Sequence, residues 1–448
     1  MHISTKKIFL ALLLALFAFA ITQTTLNQTQ ASLIAIITLL VTLWSNEALP
    51  LGVTSLLPIV LFPSFEILTT KATTTNYAHP IIYLFLGGFM LAIAVEKTQL
   101  HKLIADKILN LFSNTPRSII FSLALTSGIL SSVLSNTTST LLLISIALFI
   151  TDDIKLKMRF ALAIAYGASI GGILTPIGTP PNLILLGVMQ EKGLEAIPFF
   201  QWMWMVAPLS LVMLFIMSFL LSLGVDNKPI KREKIKETIN TEQKKVLYLL
   251  GLLVFTLLIN APIKPFYSGL GLSEAGILLS FGLVLFMPPF RILEWEEDSK
   301  KIPFKIMFLF GAGFSIAKAF STTGLADVVA SYLLVITQLD PIFILFSVAF
   351  LITFTTEVTS NTALISIMLP VIYSIAQQSG IDTTLFMMVA TLCASYAFML
   401  PIATPPNAIA MSSGVVNIAT MAKYGIILNL LGIFFIVIIA EYFWKGIL

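Results

Sequence analysis

The sequence predicts an all-α polytopic membrane protein, and three observations carry that prediction. Of 448 residues, 57% are hydrophobic and 11% charged, with a mean hydropathy of +0.97. Soluble domains carry about 25% charged residues, so a single aqueous core cannot hide this much apolar surface. Apolar stretches of about 17 to 25 residues, each able to cross a hydrocarbon layer of about 30 Å as a helix, recur along the whole chain. Polar motifs inside those stretches repeat at one constant displacement. The expected architecture is about 11 transmembrane helices plus two re-entrant helical hairpins in inverted-topology repeats.

Spans are expected near residues 7–22, 31–46, 51–63, 80–96, 160–190 (interrupted), 200–223, 246–261, 270–289, 303–319, 383–413 (interrupted) and 424–444. At the N-terminus Lys6 and Lys7 precede a short apolar run ending in small residues, a pattern that also suits a cleaved signal peptide. A multispan protein needs no separate signal, so residues 1–30 are read as an uncleaved transmembrane helix. With the N-terminus inside, 21 of the 26 Lys/Arg lie in cytoplasmic segments, and Lys71, Lys192, Lys264, Lys318 and Lys445 lie outside. The positive-inside rule therefore supports a multi-pass protein of the bacterial inner membrane, with its N-terminus cytoplasmic and its C-terminus outside.

Composition also excludes function classes. Cys393 is the sole cysteine and the histidines are His2, His79 and His101, which leaves no disulfide framework or thiolate cluster and no histidine pair on one helix face. The formal charge of +4 is not gathered into base-reading clusters beside aromatics, so no nucleic-acid partner is expected. There is no His-Glu-x-x-His or paired Gly-x-Gly-Asp motif, and an enzyme is not expected. The aromatic run from Phe199 to Trp204 suits a membrane-interface belt.

Residues 118–150 contain no charge, yet one straight helix of that length would measure roughly 50 Å, too long for the bilayer. Two full spans with a turn need about 40 residues or more. A re-entrant hairpin fits, turning back at Ser135-Asn136-Thr137, because polar backbone at that depth survives only where it lines a cavity buried in protein. The motif recurs as Ser360-Asn361-Thr362, in a second hairpin over 341–378, and Pro176-Ile177-Gly178-Thr179-Pro180-Pro181-Asn182 recurs as Pro401-Ile402-Ala403-Thr404-Pro405-Pro406-Asn407. Both pairs are 225 positions apart, as are Gly88-Phe89 and Gly313-Phe314. Asn46-Glu47-Ala48 and Ser273-Glu274-Ala275 form a weaker echo at 227, and Glu47 reads as a structural residue at a helix end. The expected domains are thus a first repeat over 31–225, a cytoplasmic linker over 226–245 and a second repeat over 246–448.

The segment before the first hairpin carries Lys97, Lys102, Lys107 and Arg117, whereas its counterpart at about 321–342 carries no Lys or Arg. The two repeats therefore face opposite sides of the membrane. Residues 97–112 read as an interfacial amphipathic helix, with 321–336 as its counterpart on the other surface. Inverted repeats whose helices break at the midplane are a transporter signature, with the substrate site expected where the breaks converge.

At such a break, free carbonyls at one helix end suit a cation and free amides at the next helix start suit an anion. Ser, Asn and Thr cap helix ends and offer oxygen to a cation or hydrogen bonds to a carboxylate. Proline removes a donor and stops the helix, so each Thr-Pro-Pro-Asn adds a second breakpoint. No Lys or Arg lies in 118–150, 160–190 or 383–422. A dianion would then be held by amides, neutral side chains and co-bound cations, with Na+ favoured because the ligands are neutral oxygens. A proton relay would need a buried acid, and Glu357 is the ionisable residue near the second tip that keeps such a reading open. A lone Ser-Asn-Thr would read as a capped helix end; two in register with two Pro-Pro-Asn breaks read as a site.

Asn46-Glu47-Ala48-Leu49-Pro50-Leu51-Gly52-Val53-Thr54, Gly87-Gly88-Phe89 followed by Leu100-His101-Lys102, both Ser-Asn-Thr tips and both Thr-Pro-Pro-Asn breaks resemble the divalent anion:sodium symporter family. The resemblance runs from about residue 31 to 425. It implies secondary active import of small divalent carboxylates, C4-dicarboxylates such as succinate, coupled to Na+ by an elevator-like motion within a homodimer in the lipid bilayer. By the family pattern the first Na+ would be held by Ser131, Ser135, Asn136 and the Gly178 carbonyl. The second would be held by Thr356, Thr359, Asn361 and the Ala403 carbonyl. Substrate would meet Ser135, Asn136, Thr137, Thr179 and Pro180 of the first half, and Ser360, Asn361, Thr362, Thr404 and Pro405 of the second. Family tips often continue Ser-Asn-Thr-Ala-Thr; here they continue Thr138-Ser139 and Ala363-Leu364, and the hydroxyl missing at Leu364 bears on substrate range. The alternatives are a sodium-independent dicarboxylate exchanger, or an ion antiporter or sulfate transporter on the same scaffold.

Overall fold

Helix starts and stops follow from local chemistry throughout the computed structural model, which describes residues 3–230, 238–262, 266–332 and 340–447. Lys264, residues 231–237 of the expected linker and residues 333–336 of the second expected interfacial helix lie outside the described residues. The described residues are helical with short connections. The helices of the first half are α1 (Ile3–Thr22), α2 (Gln28–Asn46), α3 (Leu51–Ser64), α4 (Thr70–Asn76), α5 (Pro80–Lys97) and α6 (Leu100–Leu111). They continue as α7 (Pro116–Ser131), α8 (Asn136–Phe149), α9 (Ile154–Gly172), α10 (Pro180–Glu191) and α11 (Phe199–Ser222). The rest are α12 (Thr241–Asn260), α13 (Glu274–Val284), α14 (Trp295–Asp298), α15 (Phe304–Thr323), α16 (Leu325–Tyr332) and α17 (Pro341–Thr356), then α18 (Asn361–Ser379), α19 (Thr383–Ser395), α20 (Pro405–Ser412) and α21 (Ile418–Tyr442).

Short polar side chains open many of these helices by accepting from a backbone amide in the first turn: Asn27, Asp153, Ser273, Asp340, Asp382 and Asn417. Asn240 and Gln243 form a reciprocal capping box at α12. Glu47 is exposed and sits past the end of α2 in the left-handed region (φ 50°), while Asn46 Oδ1 accepts from the Ala48 amide.

Among the described residues, seven helices are long and apolar enough to cross a membrane, and five shorter apolar ones accompany them. The short set includes α8, α13, α17 and α19, so many of the expected crossings are made by broken or half-length helices. Two details differ from the sequence expectation. α13 covers less than 270–289, because Ser273 caps its start and Pro288-Pro289 follows its end. An unexpected helix, α4, forms where Thr69 caps a threonine-rich turn, and Ser315 Oγ of α15 donates to the Thr73 carbonyl to hold it.

Helix packing comes in pairs. α5 lies on α13 as α15 lies on α3; α7 packs on α9 as α17 packs on α19; α8 and α9 meet α20 as α18 and α19 meet α10. Each short helix after a break thus rests on the hairpin of the other half. Small residues let α7 and α9 touch backbone to backbone, since a Cβ on Gly171 would sit 2.2 Å from the Cα of Gly128. On the face that the basic-residue count places in the cytoplasm, Lys97 bridges to Asp298 at 2.7 Å, and Lys301 bonds the same carboxylate at 3.3 Å. Arg117 donates to the Val225 carbonyl, and Arg159 to that of Leu221, tying loops to helix ends.

Candidate functional site: two helix tips and two helix breaks

In the first half, α7 stops at Ser131 and α8 begins at Asn136. Ser135 is the N-cap: its Oγ accepts from the Thr138 amide at 3.1 Å and lies 2.8 Å from Thr138 Oγ1. Ser131, fully buried, donates to Asn136 Oδ1 at 2.5 Å. The facing break runs from Gly172 to Thr179, which is extended (φ −144°), and Pro180 opens α10. Thr175 Oγ1 donates to the Ser132 carbonyl at 2.5 Å, tying break to tip. Asn182 Nδ2 donates to the Thr175 carbonyl at 2.9 Å, folding the break onto α10.

Glycines mark the point of convergence. A Cβ on Gly172 would lie 2.7 Å from Asn136 Oδ1. One on Gly178 would lie 2.4 Å from the Gly172 carbonyl oxygen and 3.2 Å from that of Ser131. Ser131, Asn136, Gly172 and Gly178 therefore crowd backbone and amide oxygens into a single volume, where a larger residue would intrude.

The second half repeats the plan. α17 stops at Thr356 and α18 begins at Asn361. Thr356 Oγ1 donates to Asn361 Oδ1 at 2.7 Å, the counterpart of the Ser131–Asn136 bond, and lies 2.9 Å from the Ala394 carbonyl. Thr404 is extended like Thr179 (φ −140°), with Pro405 opening α20. Asn407 Nδ2 donates to the Ala397 and Leu400 carbonyls, both at 3.0 Å. The Oδ1 atoms of Asn182 and Asn407 are buried without a hydrogen-bond partner, which leaves each break one open acceptor.

The remaining expected residues occupy these same ends. Thr137, Thr362, Pro180 and Pro405 sit in first helical turns, where free amides and the positive dipole end suit an anion. Thr359 Oγ1 donates back to the Thr355 carbonyl at 2.8 Å. Ala403 is buried, three residues beyond Leu400. Thr404 Oγ1 accepts from the Asn407 amide at 3.3 Å, whereas Thr179 and Ser360 make no side-chain cap bond.

Sequence reasoning missed Gly172, Thr175 and Asn429. Asn429 had a legible signal, a lone amide in the apolar span of α21. It is fully buried and donates to Glu357 Oε1 at 2.6 Å. Glu357 also accepts from the Met399 and Leu400 amides, at 2.9 and 3.0 Å.

An all-helical membrane protein with paired tips and breaks of this kind is a membrane transporter by architecture. Residues 33–393 match the citrate transporter family CitMHS, and the chain belongs to that family, as the resemblance to divalent anion:sodium symporters implied. It is 32% identical over 442 residues to the sodium-dependent dicarboxylate transporter SdcS of Staphylococcus saprophyticus, covering 91% of this chain and 85% of the relative. To the SdcS of Staphylococcus aureus strain USA300 it is 34% identical over 443 residues, with the same coverage. In fold it is similar to the Alcanivorax borkumensis YdaH transporter, with a TM-score of 0.58 at 14% identity, over 83% of this chain and 87% of that one. Neisseria gonorrhoeae MtrF gives a TM-score of 0.60 at 12% identity over 93% and 95%. The family is one of transporters, and the chain is not an enzyme.

Proposed function

We propose that this protein imports small dicarboxylates, with C4-dicarboxylates such as succinate as substrates, coupled to Na+. The carrying observation is the pair of equivalent junctions, Ser131–Asn136 and Thr356–Asn361, each beside the carbonyls of a helix break with no basic side chain in either hairpin or break. Neutral oxygens that are crowded and fixed before binding suit a hard monovalent cation. The helix starts at Asn136, Pro180, Asn361 and Pro405 then offer free amides to the carboxylates.

In this reading Ser131, Ser135, Asn136 and the Gly178 carbonyl hold one Na+, and Thr356, Thr359, Asn361 and the Ala403 carbonyl hold the other. The Gly172 carbonyl joins the first set, because it faces Gly178. Bound cations neutralise much of a dianion that no Lys or Arg meets, which makes coupling a consequence of charge balance. The naming of SdcS as a sodium-dependent dicarboxylate transporter supports the same ion and substrate class. We further propose two inverted halves moving in an elevator-like way within a homodimer, in a bacterial inner membrane with the N-terminus cytoplasmic.

Uptake of labelled succinate into proteoliposomes under an inward Na+ gradient tests the reading. Asn136→Ala and Asn361→Ala are each expected to cut uptake by roughly 100-fold, the equivalent of about 3 kcal/mol, with normal membrane insertion. Uptake indifferent to Na+ but accelerated by internal succinate would replace symport by exchange.

A further inference from the structure

Among the equivalent positions at which the two junctions differ, one places a carboxyl group where the first half has a hydroxyl. Ser132 follows Ser131, and 225 residues on Glu357 follows Thr356. Ser132 turns its hydroxyl back onto the Ile129 carbonyl of its own helix and gives the break its carbonyl, which accepts from Thr175. Glu357, 3% exposed, contributes a carboxylate that takes two consecutive break amides, Met399 and Leu400, and the Asn429 amide. Asn429 Oδ1 accepts from the preceding amide, Phe398, at 3.2 Å. Every hydrogen bond to the carboxyl group comes from an N–H donor, so it gathers three donors from two other segments onto one acceptor. Among the described residues no Lys or Arg forms an ion pair with it. An ionised buried carboxylate needs a compensating charge. The expected second cation position, at Thr356, Asn361 and Ala403, begins at the adjacent residue.

We propose that Glu357 is a positioning and charge-balancing residue for the second cation: with Asn429 it clamps break amides 398–400 onto tip two, and its negative charge is offset by the Na+ bound beside it. The second site is therefore pre-assembled and electrostatically the tighter of the two, whereas the first relies on one hydroxyl–carbonyl tether. This rests on the Na+-coupled reading above.

The experiment follows Na+ binding and Na+-driven uptake separately. Purified protein is titrated with NaCl against choline chloride without substrate, reading the thermal unfolding midpoint, because a ligand of the native state raises that midpoint with concentration. Half-saturating Na+ for succinate uptake is measured in parallel. Glu357→Gln, which removes the charge, is expected to raise half-saturating Na+ by roughly tenfold or more and to flatten the Na+-dependent rise in midpoint. Glu357→Asp is expected to recover part of the loss. Asn429→Ala, which keeps the carboxylate but frees the Phe398 amide, is expected to shift half-saturation in the same direction by about threefold, and it carries the test if Glu357→Gln does not insert. Wild-type Na+ dependence in Glu357→Gln, no difference between Gln and Asp, or no shift in Asn429→Ala overturns the proposal. A wild-type protein indifferent to Na+ in both assays would instead remove the coupling reading itself, and this inference with it.

Discussion

Tip one and tip two share a backbone plan but not the means of holding it. Both place a hydroxyl on an asparagine Oδ1 five residues later, Ser131 on Asn136 and Thr356 on Asn361. Around that shared bond the halves diverge. In the first, Gly128 and Gly171 bring α7 and α9 into backbone contact. At the equivalent positions the second has Thr353 and the fully buried Tyr396, whose ring packs where a Cβ on Gly432 would come within 2.7 Å. The first half saves volume by omitting side chains; the second fills it with an aromatic and gives up the side chain on α21. What persists between the halves is the oxygen arrangement at the tips, and what varies is the packing that supports it.

The largest expected effect tests that contrast. Gly171→Ala meets rigid backbone, so overpacking should cost about 1–3 kcal/mol and displace tip one. A lowered thermal midpoint together with loss of Na+-driven uptake is expected. Gly432→Ala meets the edge of a ring that can tilt and should lose less on both readouts; equal losses would end the distinction between a backbone contact and a filled one.

Next in size is the tether of the first break. Thr175→Val removes the bond to the Ser132 carbonyl, worth about 1 kcal/mol, and should weaken Na+ half-saturation roughly fivefold. An unchanged Na+ titration would mean that the tether does not position the first site.

The caps give a finer comparison of similar scale. Ser135 caps α8 while Ser360 leaves α18 uncapped. Ser135→Ala should lose about 1 kcal/mol of stability, visible in chemical or thermal denaturation, in addition to weakening Na+ half-saturation. Ser360→Ala should leave stability as it is and alter succinate half-saturation instead. The reverse pattern would exchange their roles.

The smallest effect lies away from the site, at Asp298. Burial pushes its carboxyl up, but hydrogen bonds from Lys97, the Glu294 amide and Lys301 outweigh that and hold it below the usual carboxylate range. A depressed folded-state pKa contributes stability that is present above the unfolded value of about 4 and lost as pH falls through the lower folded value. The contribution should be about 0.2–1 kcal/mol, as for a pair with partly exposed lysines. Asp298→Asn should remove that acid-side dependence from the thermal midpoint and leave uptake near pH 7 unaltered.

Much of this organisation was legible before any coordinates. The 225-residue displacement predicted equivalent breaks, and the helix starts at Pro116, Asn136 and Pro180 recur at Pro341, Asn361 and Pro405 with that spacing. Proline and N-capping chemistry act within a few residues, so a sequence displays them directly. Thr175 was not legible, because its second-half counterpart is Leu400, which uses its amide rather than its side chain. Gly172 was missed because the reason for a glycine there is Asn136, from another helix.

The sequence by itself determined the solvent, the helix starts at the tips and breaks, the family and the residue types at each tip, since apolar length, proline and short polar caps are local properties. Tertiary structure alone decided that each post-break helix rests on the opposite half's hairpin, and that Glu357 meets break amides 42 and 43 residues away and Asn429 72 residues away. A buried carboxylate takes its meaning from the donors that the fold delivers to it, and those donors lie on separate segments of the chain.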